Sequence, residues 1–182
     1  SIVFDERYLG KPLVFCGTVG MLPAVINGKP SHVKKALPGD YIVMVGGRIG
    51  KDGIHGATFS SEELHEGSPA TAVQIGDPIT QRRMYDCLMR ARDMGLYNAI
   101  TDNGAGGLSS SVGEMAQDAG GCELYLDRAP LKYDGLVPWA IFTSEAQERM
   151  TLAVPPDKFA AFMQLAKEMG VEATELGNYT NS

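Results

Sequence analysis

The sequence predicts an α/β domain built on one main sheet, and three observations carry that expectation. The run Tyr41-Ile42-Val43-Met44-Val45 is unbroken, apolar and rich in β-branched residues, which suits a strand buried on both faces. Two segments, opening at Asp77-Pro78 and at Pro155-Pro156-Asp157, set apolar residues at helical spacing and stop at a glycine. Short strand-like runs stand between and after them, an alternation that indicates helices packed on a sheet.

In chain order, residues 12–19 read as a first strand. Residues 21–39 are punctuated by Pro23, Gly28, Pro30 and Pro38 and form a connector with at most one short strand. The buried strand over 41–45 runs straight into Gly46-Gly47. Asp77 is a good N-cap because its carboxylate accepts bonds from orphan backbone N–H groups. Pro78 suits the first helical position, where a missing N–H has no partner to lose. Ile79, Met84, Cys87, Leu88, Ala91 and Met94 make the apolar stripe, and Gly95 ends the helix. A short strand over 97–100 follows directly. Residues 104–107 read as a loop, 108–119 as a helix, 122–126 as an alternating strand, 138–142 as one helical turn and 149–154 as another strand. The last helix turns Phe159, Phe162, Met163, Leu165 and Ala166 inward, stops at Gly170 and leads to a final strand over 171–176. The polar stub over 177–182 suggests the edge of a domain excised from a longer chain.

The 182 residues, 44% hydrophobic and 21% charged, suffice for a sizeable core. A net charge of −6 without a Lys/Arg cluster excludes a nucleic-acid backbone as partner. The longest apolar runs fall far short of the ~20 residues a membrane helix needs. No signal-peptide pattern opens the sequence, so no membrane association and a cytoplasmic location are expected. Cys16, Cys87 and Cys122 show no C-x-x-C pair and read as buried thiols in a reducing compartment. His32, His55 and His65 lack zinc-site spacing. The 22 glycines are more telling, because they cluster.

Four segments are candidates for chemistry. Gly46, Gly47, Arg48, Gly50 and Gly53 end the buried strand in a glycine-rich loop, whose backbone N–H groups could form a nest for phosphate oxygens. The same composition also serves a ligand-free turn, and it is neither a P-loop nor a dinucleotide fingerprint. Gln74 stands at the end of a predicted strand beside the helix opened by Asp77, where an anion is favoured or where Asp77 merely caps. Asp102 stands at a strand end before Asn103-Gly104-Ala105-Gly106-Gly107, the place where open α/β sheets put ligands. A carboxylate there can hold Mg²⁺ beside a phosphate, or close an Asx turn. Residues 143–150 are polar and precede a strand, which fits a binding edge or a plain surface loop. Glu114 reads as a solvated or structural carboxylate.

Together and in order, these segments resemble the phosphoribosylformylglycinamidine synthase family, large or type II subunit. The resemblance runs from Phe4-Asp5-Glu6-Arg7-Tyr8-Leu9-Gly10-Lys11-Pro12-Leu13 through Gly47-Arg48-Ile49-Gly50-Lys51-Asp52-Gly53-Ile54-His55-Gly56-Ala57-Thr58-Phe59. It continues in Val73-Gln74-Ile75-Gly76-Asp77-Pro78, residues 102–108 and Ser144-Glu145-Ala146-Gln147-Glu148-Arg149-Met150. The stretch over 52–59 is its most specific part.

The resemblance implies a mixed sheet with packed helices, like the aminoimidazole ribonucleotide synthetase C-terminal domain, over residues 40–182. Residues 1–39 would be a leading strand and connector from a preceding domain. It implies a purine-biosynthetic ligase that converts formylglycinamide ribonucleotide, ATP and glutamine-derived ammonia to formylglycinamidine ribonucleotide, through an iminophosphate at the amide oxygen. Gln74, Glu145, Ala146 and Gln147 would then contact substrate and Asp102 would bind Mg²⁺. The family's catalytic histidines and most ATP contacts belong to the preceding domain, and a glutaminase domain or subunit supplies ammonia. This chain would contribute no catalytic residue, bind little ATP and be inactive alone.

Two departures stand out. Ala146 replaces the usual Ser, and Asp102-Asn103-Gly104-Ala105-Gly106 replaces Asp-Met-Gly-Ala-Ala. A different class of function, a non-catalytic phosphate-ligand-binding or assembly module of the same fold, is the alternative.

Overall fold

The computed structural model describes residues 2–10, 17–62, 66–68 and 70–182. Most of the strand expected over 12–19 lies outside the described residues, as do Cys16 and His65; Gly17, Thr18 and Val19 are not in a strand. A short 3₁₀ turn, Glu6–Tyr8, precedes a two-stranded hairpin of β1 (Val25–Ile26) and β2 (Lys29–Pro30). The connector thus holds two short strands. Between them Asn27 and Gly28 both take positive φ, +51° and +75°, as a two-residue hairpin turn of primed type requires.

The main sheet has five strands: β3 (Tyr41–Gly46), β4 (Ala99–Asp102), β5 (Gly121–Leu124), β6 (Arg149–Val154) and β7 (Ala173–Thr180). Their order is β4-β6-β3-β7-β5. Every pairing in it is antiparallel, and an isolated parallel bridge joins Ile49 to Leu131. The central strand β3 alternates between two cores, as the period-2 geometry of a strand dictates. Ile42 and Met44 pack with Leu108, Val112, Met115 and Leu176, while Val43 and Val45 pack with Met84, Leu88, Phe162 and Leu165. Helices α3 (Gly107–Ala119) and α4 (Pro138–Thr143) therefore cover one face. Helices α2 (Pro78–Asp93) and α5 (Pro156–Glu168) cover the other. Each fully buried aliphatic side chain contributes roughly 1.5–3 kcal/mol.

Asp77 caps α2 as its chemistry predicts, Oδ1 accepting from Ile79 N and Thr80 N at 3.1 Å each. Met84, Cys87, Leu88 and Ala91 form its buried stripe. Ile79 and Met94 at the ends of the stripe are exposed. Residues 177–180 are not a stub: β7 continues through them, held by β3 on one side and β5 on the other, with Tyr179 fully buried. Strand β5 does not alternate, since an edge strand buries little on either face. Cys87 is buried and Cys122 exposed. No helix among the described residues is long and apolar enough to cross a membrane.

Candidate functional site

The antiparallel register brings three of the candidate segments to one edge of the sheet. Gly46 pairs with Arg149 and Asp102 with Met150, so the ends of β3 and β4 meet the start of β6. The glycine-rich loop, the Asp102 turn and the 144–148 segment all leave the sheet there.

Glu145 joins them. Its side chain is buried and accepts from three separate parts of the chain: Ala57 N at 2.8 Å, Gly106 N at 3.1 Å and Gln74 Nε2 at 3.2 Å. Ala57 belongs to the short helix α1 (Gly56–Phe59), and Gly106 is the N-cap of α3. A carboxylate is acceptor-only, so one residue can satisfy several N–H donors at once. Gln74 is exposed and lies in an irregular segment after the 3₁₀ turn Ala70–Ala72, not at a strand end. It is held by Glu145 through its amide nitrogen.

Gln147 is half-buried and donates from Nε2 to Glu145 O at 2.8 Å. It lines a cavity of about 370 Å³ together with Gly46, Arg48, Asp77, Lys132 and Glu148. Ala146 is buried, its N–H is given to Ser144 Oγ at 3.2 Å, and its carbonyl accepts from Arg149 Nε at 2.7 Å. Ser144 Oγ in turn donates to Gly50 O at 2.7 Å.

In the glycine-rich loop, three of the N–H groups are given to neighbouring carbonyls. Gly46 N donates to Glu172 O at 3.0 Å, Gly47 N to Glu148 O at 2.9 Å and Gly53 N to Thr71 O at 2.7 Å. Buried N–H groups must be satisfied, and neighbouring carbonyls satisfy these three. Arg48 is also paired, with Glu172 at 2.9 Å. The loop's Gly46, Gly47 and Arg48 also line the cavity described above.

Asp102 is exposed, and its Oδ1 accepts from Gly104 N at 2.8 Å, an Asx-type turn. Among the described residues no three His, Cys, Asp or Glu side chains converge to hold a metal ion. The turn therefore fits a single carboxylate ligand, the kind Mg²⁺ accepts when phosphate oxygens supply other positions. Beneath it, Ser111 Oγ and Thr151 Oγ1 both donate to Asn103 Oδ1, at 2.5 and 2.9 Å, while Asn103 Nδ2 is buried with no partner among the described residues.

Arg149 lies in the candidate segment 143–150 and in the resemblance motif, but the sequence assigns it no individual role. The residue is 3% exposed, and burial pulls its pKa down to about 10, so it stays charged at neutral pH.

Residues 38–182 match the family described as AIR synthase related protein, C-terminal domain. The phosphoribosylformylglycinamidine synthase subunit PurL of Methanopyrus kandleri is 40% identical across 100% of this chain, which covers 25% of that protein. The structure of T. maritima PurL complexed with FGAR superposes with a TM-score of 0.73 at 32% identity, covering 81% of this chain and 27% of that one. T. maritima PurL complexed with ATP gives a TM-score of 0.66 at 28% identity, with coverages of 82% and 24%. The chain thus spans about a quarter of the length of the curated relatives it matches.

Proposed function

The chain belongs to the AIR synthase related family through its C-terminal domain, and from that premise we propose that it forms one wall of a phosphoribosylformylglycinamidine synthase active site. The observation that carries this reading is the convergence of Ala57, Gln74 and Gly106, which follows the Asp102 turn, on the single carboxylate of Glu145. Four segments far apart in sequence are held together at one sheet edge, as a site is and a plain set of surface loops is not.

In this reading Gln74 and Gln147 present amide groups to the formylglycinamide ribonucleotide, and Glu145 holds both in place. Asp102 supplies one oxygen to Mg²⁺, which neutralises phosphate charge on ATP when bound. The ATP-binding and histidine-bearing parts, the ammonia-supplying glutaminase and the domain boundary near residue 40 belong to a longer cytoplasmic polypeptide or complex.

Asp102→Asn in that full-length synthase should raise the Mg²⁺ concentration needed for half-maximal activity by on the order of tenfold or more, since even weakening the support of a metal ligand costs that much. Thermal stability should stay close to wild type, because the side chain is exposed. Unchanged Mg²⁺ dependence would remove Asp102 from the metal. A wild-type polypeptide that makes no product from ATP, ammonia and the amide substrate would favour a non-catalytic module. Mg-ATP titrated calorimetrically into the 182-residue chain should give only weak, non-saturating heat; tight binding would mean that the site is complete without further domains.

A further inference from the structure

The guanidinium of Arg149 is buried at the junction of all these segments, and no carboxylate lies within ion-pair distance of it among the described residues. Asp52, the carboxylate whose charge acts on it, already holds Lys132 Nζ at 2.8 Å. A buried charge with no counter-charge is costly, and an apolar residue would serve packing better. What it does instead is specific. Nε donates to Ala146 O at 2.7 Å and Nη2 to Ser144 O, the two carbonyls that flank Glu145. Nη1 rests on Met44 Sδ at 3.7 Å. The backbone carbonyl of Arg149 accepts from Asn103 N at 3.2 Å, beside Asp102.

We propose that Arg149 is the positioning residue of this site: its fork grips the backbone on either side of Glu145 and so sets that carboxylate across the donors of α1, α3 and Gln74. The planar guanidinium suits this task because it directs several N–H groups in fixed, divergent directions. Lysine can reach one of the two carbonyls and glutamine can satisfy one without a charge, so both should loosen Glu145 while leaving the strand intact. The consequence for substrate binding rests on the function proposed above; the structural role does not.

Hydrogen exchange on the full chain separates the two. In Arg149→Lys the amides of Ala57 and Gly106, which both donate to Glu145, should exchange about tenfold faster or more, as local opening predicts. Leu152 and Ala153, in the middle of β6, should keep wild-type protection. Unchanged protection at Ala57 and Gly106, or equal acceleration at all four amides, would overturn the proposal. A measurement on the unmutated chain guards against a variant that does not fold. There the Arg149 Nε proton should exchange slowly and show hydrogen-bond coupling to the Ala146 carbonyl carbon, and a rapidly exchanging Nε proton would equally overturn it.

In the full-length synthase, Arg149→Lys should raise KM for the amide substrate about tenfold with kcat and the KM for ATP within about threefold, the pattern of lost ground-state positioning. An unchanged KM in an active synthase would break the link from Arg149 to substrate. A wild-type polypeptide without synthase activity would instead refute the functional reading, with the exchange result still deciding the role of Arg149.

Discussion

Replacing Gly107 by alanine should lower the stability of the chain by about 3 kcal/mol or more, among the largest effects a single methyl group can have. Gly107 opens α3 at φ +57°, a conformation that L side chains adopt reluctantly. The added Cβ would also fall 2.1 Å from Ser144 O and 2.9 Å from the Ser144 carbonyl carbon, so a stretch of backbone must move. That stretch is the one whose carbonyls Arg149 holds, and the strain would pass directly to Glu145. For a chain of this length the loss corresponds to a fall in Tm of roughly 6–12 °C. Gly113, in the middle of the same helix, is the matched control. A Cβ there meets nothing within 4 Å, and alanine should stabilise by up to ~1 kcal/mol through helix propensity. Thermal unfolding of the two variants side by side decides the matter; similar Tm values for both would refute the close-approach argument.

Glu145→Ala should be nearly as damaging and reach further. It strips one acceptor from Ala57 N, Gly106 N and Gln74 Nε2 together. Hydrogen bonds to a charged acceptor contribute roughly 1.5–3 kcal/mol each, but Ala57 and Gln74 are exposed and water restores part of the loss, so a net cost of about 3 kcal/mol is expected. Glu145→Gln keeps one acceptor oxygen and should fall between wild type and alanine. In a synthase assay the alanine variant should lose amide-substrate affinity even at temperatures where it remains folded. Wild-type KM in that variant would show that Glu145 organises nothing the substrate uses.

The fold was legible where local chemistry and burial agree. The run 41–45 and the end of the strand over 149–154 are apolar because both faces are covered, and Asp77-Pro78 carries its own start signal. The misreadings have physical causes. Asn27-Gly28 is a strong hairpin signal that four surrounding Pro and Gly residues obscured. The polar composition of 177–180 hid a strand whose stability comes from neighbours on both sides and from one buried aromatic, Tyr179. At the site, Gln74 and Asp102 stood out at element ends and Glu145 and Gln147 only through the family resemblance, while their arrangement depends on antiparallel register, which periodicity alone does not specify. The glycine-rich loop read as a nest or a ligand-free turn because composition reveals where N–H groups are numerous, while the carbonyl partners of Gly46, Gly47 and Gly53 come from tertiary structure. Arg149 lay inside the candidate segment 143–150, but its grip on the Ser144 and Ala146 carbonyls comes from tertiary structure that spacing does not reveal.

The strand order has a consequence for how the chain comes to be folded at all. No two strands consecutive in sequence are neighbours in the five-stranded sheet, so every pairing must close a long loop before it gains anything. The central β3 is the first of the five to be synthesised, and its partners β6 and β7 are among the last. At ordinary elongation rates of roughly 5–20 residues per second, an unbroken apolar strand waits on the order of ten seconds without either flank covered. Such a segment is the kind that pairs with copies of itself. The yield of this domain in a cell should therefore be set less by the depth of its native minimum than by how well nascent β3 is shielded until β6 arrives.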